Sequence, residues 1–239
     1  MIKKFITILC IILSNGLKTL NVNNENLVII KNEINPETVS YAIEKLHTSQ
    51  NASNMIIFLD SPGGNVESGL LLLNEIMKYN LTCVVSKAYS MAFAIFQTCN
   101  NRYILPTAKL MQHQITFGIK NSLQEINNYV AYVNQINNYL AMLQSKKIGI
   151  HPLSFLERTK SDWWLFAQNA ILENVADEIV NIECDKKLIK TNYTQTFGNI
   201  QIIYSHCPLI FKEKEIIINK NKKVMTLNKQ KINKNIKLI

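Results

Sequence analysis

Glycine is scarce in this chain, with 7 in 239 residues, and it nowhere recurs in the Gly-x-Gly-x-x-Gly spacing of a dinucleotide site. Cysteine occurs five times, but never as Cys-x-x-Cys and never with histidine at zinc-ligand spacing, so no metal site is expected. The apolar run near the N-terminus falls short of the roughly 20 residues that cross a bilayer. Charged residues make up only 18%, against 47% hydrophobic, which excludes disorder for most of the length and allows a sizeable core. The length suits one large domain or two small ones.

Acidic residues are outnumbered 17 to 26, giving a net charge of +9. Nine Lys and two Glu fall in residues 211–239, a net of +7, which leaves +2 for the 210 residues before them. The basic balance therefore belongs to a solvated tail and not to a folded face, and no nucleic-acid role is expected. At the other end, Met1-Ile2-Lys3-Lys4 is a short basic stretch, residues 5–13 are apolar, and Ser14-Asn15-Gly16 supplies small residues for cleavage. Residues 1–18 thus read as a secretory signal. They place the mature chain outside the cytoplasm, secreted or periplasmic; a buried first element in a cytoplasmic protein is the alternative.

Cys10 lies in that signal, and the four remaining cysteines fit an oxidising compartment. Cys184 and Cys207 flank a polar stretch and are the candidate pair. Cys83 and Cys99 sit in apolar segments and are expected to be buried free thiols.

Strand and helix patterns alternate. Residues 27–30 form a short apolar strand. Pro36 opens a helix that runs to residue 47. Residues 55–59 are continuously apolar, as in a buried parallel strand, and Ser61-Pro62-Gly63-Gly64 ends them. A helix over 66–79, a strand over 81–85 and a buried helix over 91–98 follow. Residues 102–105 and 109–111 are short strands. Leu123, Ile126, Val130, Val133, Ile136, Leu140 and Leu143 then recur at spacings of three and four, which predicts a long helix. Pro152 starts another helix, 167–172 is helical, and 175–180 reads as a strand. This alternation implies an α/β fold with mainly parallel pairing. Beyond about residue 184 the pattern weakens.

Four features bear chemistry. Gly63, Gly64 and Gly69 cluster directly after a buried strand, where exposed N–H groups can hold an anion. Ser90 follows a strand and precedes an apolar helix, which suits a nucleophile as well as a helix cap. His113 ends a short strand, where a neutral imidazole can take a serine proton. Asp162, beside Trp163-Trp164, can orient that imidazole. Each of these has an ordinary structural role that would suffice alone.

Their order is what distinguishes them. Phe58-Leu59-Asp60-Ser61-Pro62-Gly63-Gly64, Tyr89-Ser90-Met91, Leu110-Met111-Gln112-His113-Gln114 and Lys160-Ser161-Asp162-Trp163-Trp164-Leu165 resemble, in sequence order, four motifs of the ClpP family of serine peptidases. Ala167-Gln168-Asn169-Ala170 and Val175-Ala176-Asp177-Glu178-Ile179 are similar to the family's ending. The resemblance covers residues 55–180, about half of the chain.

It implies the ClpP/crotonase-like ββα superhelix with a protruding long helix over 122–148, in a domain spanning 25–183, with 184–239 as a C-terminal extension. It implies Ser90 as nucleophile, His113 as general base and Asp162 as its orienter. The Gly64 and Met91 N–H groups correspond to the oxyanion hole, and Gly63, Asn65, Phe117 and Gly118 lie where an extended peptide substrate binds. No cofactor is implied. A homo-oligomer is expected, rings of seven stacked in pairs being the family form.

Two departures stand beside the nucleophile: Ala92 replaces a glycine and Tyr89 a small residue, both adding bulk. The signal leaves no cytosolic ATPase to work with, so short or unfolded peptides are the expected substrates and an ATPase partner is not expected. Two further readings are a signal-peptide-peptidase-like hydrolase using a Ser–Lys dyad, against which Lys87 and Lys109 read as no more than surface charge, and a catalytically impaired scaffold.

Overall fold

The structure, a computed structural model, describes residues 16–197, 200–210, 215–220 and 223–226. The expected signal at 1–18 lies almost wholly outside the described residues, as does most of the 211–239 tail. The chain divides into two compact units. One holds residues 16–20 and 25–182, the other residues 21–24 and the described part of 183–239.

Twelve strands and seven helices are described. The strands β1 (Thr19–Val22), β2 (Leu27–Lys31), β3 (Ile56–Ser61), β4 (Thr82–Tyr89), β5 (Asn101–Gln112), β6 (Trp163–Phe166), β7 (Glu178–Ile179) and β8 (Asn181–Cys184) precede β9 (Asn192–Phe197), β10 (Ile200–Ser205), β11 (Glu215–Lys220) and β12 (Lys223–Thr226). The helices are α1 (Pro36–Thr48), α2 (Val66–Ile76), α3 (Met91–Phe96), α4 (Leu123–Ile148), α5 (Pro152–Arg158), α6 (Ala167–Leu172) and α7 (Lys186–Lys190).

The first unit is an α/β layer structure around one sheet, ordered β2-β3-β4-β5-β6, with β7 also paired to β5. Strands β2 through β5 run parallel. Each parallel step is bridged by a helix, α1, α2 and α3 in turn, because parallel neighbours need a crossover and a helix supplies one. Parallel strands covered on both faces must be apolar along their length. Accordingly Ile57, Phe58, Leu59, Cys83, Val84 and Val85 are all fully buried. Helix α3 is buried all round, Met91 to Phe96, as its lack of any polar face requires.

Two expectations change in detail. The strands read at 102–105 and 109–111 form one strand, β5, whose pairing with β4 shifts register, from Val85↔Ile104 to Lys87↔Lys109. The break explains why the sequence shows two short runs. Residues 163–166 form an unexpected edge strand, β6, antiparallel to β5 from Lys109↔Phe166 to Gln112↔Trp163.

The long helix α4 starts on Ser122, which makes a capping box with Glu125. It ends on Gly149 in the left-handed conformation at φ 83°, where glycine carries no steric penalty. Its 26 residues span about 39 Å. Among the described residues only part of its apolar stripe is covered. Val133 and Leu140 are buried, whereas Leu123 is 76% and Val130 37% exposed. Among the described residues no helix is long and apolar enough to cross a membrane.

The cysteines depart from expectation in one respect. Cys184 and Cys207 are bonded, as their positions predict. Cys83 and Cys99, expected as free thiols, form a second disulfide with Cα atoms 5.8 Å apart. The chain leaves β4, crosses through α3 and returns to the start of β5, which brings the two together within the usual Cα range for a disulfide. The 16-residue loop so closed contains Ser90.

The second unit carries α7 and an antiparallel sheet in the order β12-β11-β10-β9. Its strands are short and partly polar (Asn192, Thr194 and Thr196 in β9), which is why periodicity alone does not reveal them.

Candidate functional site

Parallel pairing gathers the candidate residues. The carboxyl ends of β3, β4 and β5 lie at one edge of the sheet. There the chain carries Gly63 and Gly64 after β3, Ser90 after β4 and His113 after β5. Strand β6 runs the other way, so its first end lies at that same edge, directly after Asp162. The β5–β6 ladder ends on Gln112↔Trp163, and His113 and Asp162 are the next residue on each side. In open α/β sheets this edge is where ligands bind.

Ser90 has φ 53° and ψ −120°, a positive φ at a residue with a Cβ. Such a conformation costs on the order of 1–3 kcal/mol and persists only where the surroundings impose it. Here they do. The Ser90 N–H donates to the Met111 carbonyl at 2.9 Å, and the Ser90 carbonyl accepts from Ala94 N at 3.2 Å, the first bond of α3. The Ser90 side chain makes no cap bond to its helix. The ordinary reading of Ser90 as a helix-capping side chain therefore does not hold.

Gly63 packs against the same turn. A Cβ there would lie 2.6 Å from the Tyr89 carbonyl oxygen and 2.8 Å from Ser90 Cβ, at a φ of +93°. Gly64, at φ +145°, would place a Cβ 2.4 Å from the Ile34 carbonyl oxygen. Only glycine fits these close approaches. The Gly63 backbone is fully committed, its N–H to Ser61 Oγ at 3.1 Å and its carbonyl to Ile34 N at 2.7 Å. Asn65 is committed too: its side chain caps α2 by accepting from Ser68 N at 2.8 Å, and its N–H donates to the Ile34 carbonyl. Among the described residues the N–H groups of Gly64 and Met91 have no acceptor. Met91 is the first residue of α3, where helix geometry leaves the N–H without an intrahelical partner.

A cavity of about 550 Å³, including space open to solvent, is lined by Ser90, His113, Gly64 and Met91 together. Leu140, Ala141 and Gln144 of α4 also line it, with Phe155 and Leu156 of α5 and its C-cap residue Thr159. Asp162 is exposed and does not line it. Among the described residues no hydrogen bond joins Ser90, His113 and Asp162. Phe117 and Gly118 are exposed beyond the cavity, and the Phe117 ring meets Tyr129 of α4 edge-on at 5.5 Å.

The two bulky departures do not fill this space. The Tyr89 ring turns onto Trp164 at a centroid distance of 5.1 Å, and Ala92 is buried within α3; neither lines the cavity. Lys87 pairs with Asp60 at 3.3 Å, and Lys109 is exposed, so neither lysine reaches the cavity. Among the described residues no group of three His, Cys, Asp or Glu side chains is placed to hold a metal.

The sequence reading missed two residues of the wall, Gln112 and Gln144. A signal for them exists. Gln112 follows Leu110 and Met111 in a buried strand, and Gln144 falls at i+4 from Leu140 and i−4 from Ile148, in a helix's buried stripe.

An α/β layer with a strained serine at a strand-to-helix turn, lining one cavity together with a histidine, defines a class of hydrolase-like sites. The model of the Clp protease family matches residues 17–183, and the chain belongs to that family. Among curated proteins, it is 24% identical over 160 residues to the ATP-dependent Clp protease proteolytic subunit 2 of Pseudomonas aeruginosa, a match covering 64% of this chain and 80% of that one. It is 26% identical over 172 residues to the ATP-dependent Clp protease proteolytic subunit 1 of Chlamydia felis, covering 68% and 84%.

Proposed function

We propose that this chain is a serine endopeptidase that hydrolyses short or unfolded peptides through an acyl-enzyme. The observation that carries the reading is the strained Ser90 turn, which shares one cavity with His113 and with the unpaired N–H groups of Gly64 and Met91. Strain at a non-glycine residue is retained where function uses the geometry.

In this reaction Ser90 Oγ attacks the scissile carbonyl and its proton passes to His113. The electron pair of the C=O bond moves onto oxygen, and the Gly64 and Met91 N–H groups stabilise that charge. His113 then returns the proton to the leaving amine. Water, deprotonated by His113, releases the acyl group and restores Ser90. Asp162 orients the imidazole, for which its place beside the His113 end of the β5–β6 ladder is suitable. The reaction needs rotation of these side chains into hydrogen-bond contact. Catalytic contacts of this kind commonly tighten only with substrate bound.

A fluorophosphonate probe tests the reading. Labelling at Ser90, located by peptide mass spectrometry and absent from Ser90→Ala, is the expected result. Folded, assembled protein that takes up no label would instead leave the scaffold reading standing.

The chain is further proposed to assemble with copies of itself. Leu123, Tyr129, Val130, Tyr132, Tyr139 and Met142 expose large apolar groups on α4, more than a lone helix face usually leaves in water. Sedimentation velocity should show a ring-sized species, and a monomer at micromolar concentration would overturn this. Residues 1–18 are proposed as a cleaved signal, which fits four cysteines paired as two disulfides. The accumulated protein should begin at about residue 19, and an intact Met1 would refute export.

A further inference from the structure

Two buried glutamines stand behind the cavity and take no part in the chemistry above. Gln112, the last residue of β5, is 5% exposed, and Gln144, on α4, is 2% exposed. Both line the cavity. They form a chain of bonds. Gln112 Oε1 accepts the His113 backbone N–H at 3.0 Å. Gln112 Nε2 donates to Gln144 Oε1 at 2.5 Å. Gln144 Nε2 donates to the Leu140 carbonyl at 2.9 Å, one turn earlier on the same helix.

Packing alone does not call for this pair. Each is buried on an element whose other buried members are mainly apolar, Leu110 on β5 and Leu140, Ala141 and Ile148 on α4, and a methionine would fill either site without burying a carboxamide. A buried amide is tolerated only when bonded, and here the bonds run in one chain from the His113 backbone to the α4 backbone at Leu140. The His113 end is sensitive. The β5–β6 ladder stops at Gln112, so His113 is the first residue without a strand partner on that side. Its N–H is held by the side chain of the preceding residue. That side chain has three rotatable bonds, and its amide end is fixed by Gln144.

We propose that Gln112 and Gln144 are a positioning pair that ties His113 to the long helix and so sets the imidazole for proton transfer with Ser90. The proposal rests on the peptidase reading. Small errors in such a position are costly, since a displacement of about 1 Å can reduce rate by about 100-fold. The pair touches neither the scissile bond nor the transferred proton.

The test uses the full chain with Gln112→Met, Gln144→Met and the double variant. Steady-state hydrolysis of a fluorogenic peptide, the rate of fluorophosphonate labelling, hydrogen exchange at the His113 amide, and thermal melting are measured on each. Each single variant should lower kcat by about 10- to 100-fold with KM within about twofold, and the double should resemble the singles because the two act as one unit. His113 amide exchange should quicken by about tenfold or more in both singles, while the Leu110 and Met111 amides of β5 keep their protection.

An unchanged kcat overturns the proposal. So does a raised KM at constant kcat, which would make the pair a substrate contact. A loss of rate that merely follows a fall in melting temperature assigns the pair to stability and also overturns it. If the wild-type protein takes no label at Ser90, the peptidase reading fails on its own. The His113 amide then decides the tie to the helix: quickened exchange in Gln144→Met sustains it, and unchanged exchange removes it.

Discussion

His113→Ala should lose about 10⁴-fold or more in peptide hydrolysis, Ser90→Ala should lose as much, and the double variant should lose no more than the worse single. The non-additivity is the informative part. A serine hydroxyl at neutral pH is a weak nucleophile, and a nearby base makes it useful. Removing the base or the nucleophile therefore disables the same step, and removing both disables nothing further. Residual rate above water would come from binding and from the Gly64 and Met91 donors. Neither substitution should disturb the fold, because the Ser90 side chain caps no helix and His113 lies past the end of its strand ladder. Initial rates at saturating peptide, with circular dichroism as a control for folding, measure this. Full activity in His113→Ala would remove the triad assignment and reopen the lysine-dyad alternative.

Asp177→Ala should destabilise the first unit by about 3 kcal/mol, at the lower end of the cost of breaking a buried ion pair. Arg102 is the second residue of β5, with its side chain only 3% exposed. Asp177 accepts from the Arg102 backbone N–H at 2.7 Å and from Nη2 at 2.5 Å. Nη1 donates to Gln97 Oε1 at 2.8 Å and to the Asn174 carbonyl at 3.0 Å, and Gln97 Nε2 donates to the Val175 carbonyl at 3.0 Å. The cluster joins the C-cap of α3 to the turn after α6. Without Asp177 a guanidinium is left in the interior with only neutral acceptors, which offset little of its desolvation. Asp177 is itself partly open to solvent, which keeps the loss below the upper end of the range. Urea unfolding should show a lower midpoint with an unchanged slope. A shift below about 0.5 kcal/mol would mean that water replaces the carboxylate.

Much of the fold was legible because its signals are local. The 27–30 and 55–59 runs are apolar throughout and 81–85 is interrupted only by Thr82, a pattern that strands buried on both faces require. The stripe from Leu123 to Leu143 repeats every three or four residues, and Ser122 and Gly149 bound it. The order of motifs identified the family, and the chain does belong to it. Strand β6 was not legible. Four residues, Trp163 to Phe166, carry no period, and they are a strand only because β5 presents an open edge to them. The Cys83–Cys99 bond was not legible either, since two cysteines in apolar segments look like core until the crossover through α3 brings them together.

For the candidate site the division falls in the same place. Composition and motif order determined by themselves which residue types are present and which sheet they would serve. That information is carried along the chain, in periodicity and in the glycines after β3. Tertiary structure alone decided that Ser90 is held at positive φ with its side chain free of the helix cap, and that Tyr89 turns to Trp164 and leaves the cavity open. It also decided that two glutamines 32 positions apart meet behind His113. Those facts depend on contacts between segments far apart in sequence, where packing and hydrogen bonding override local preference.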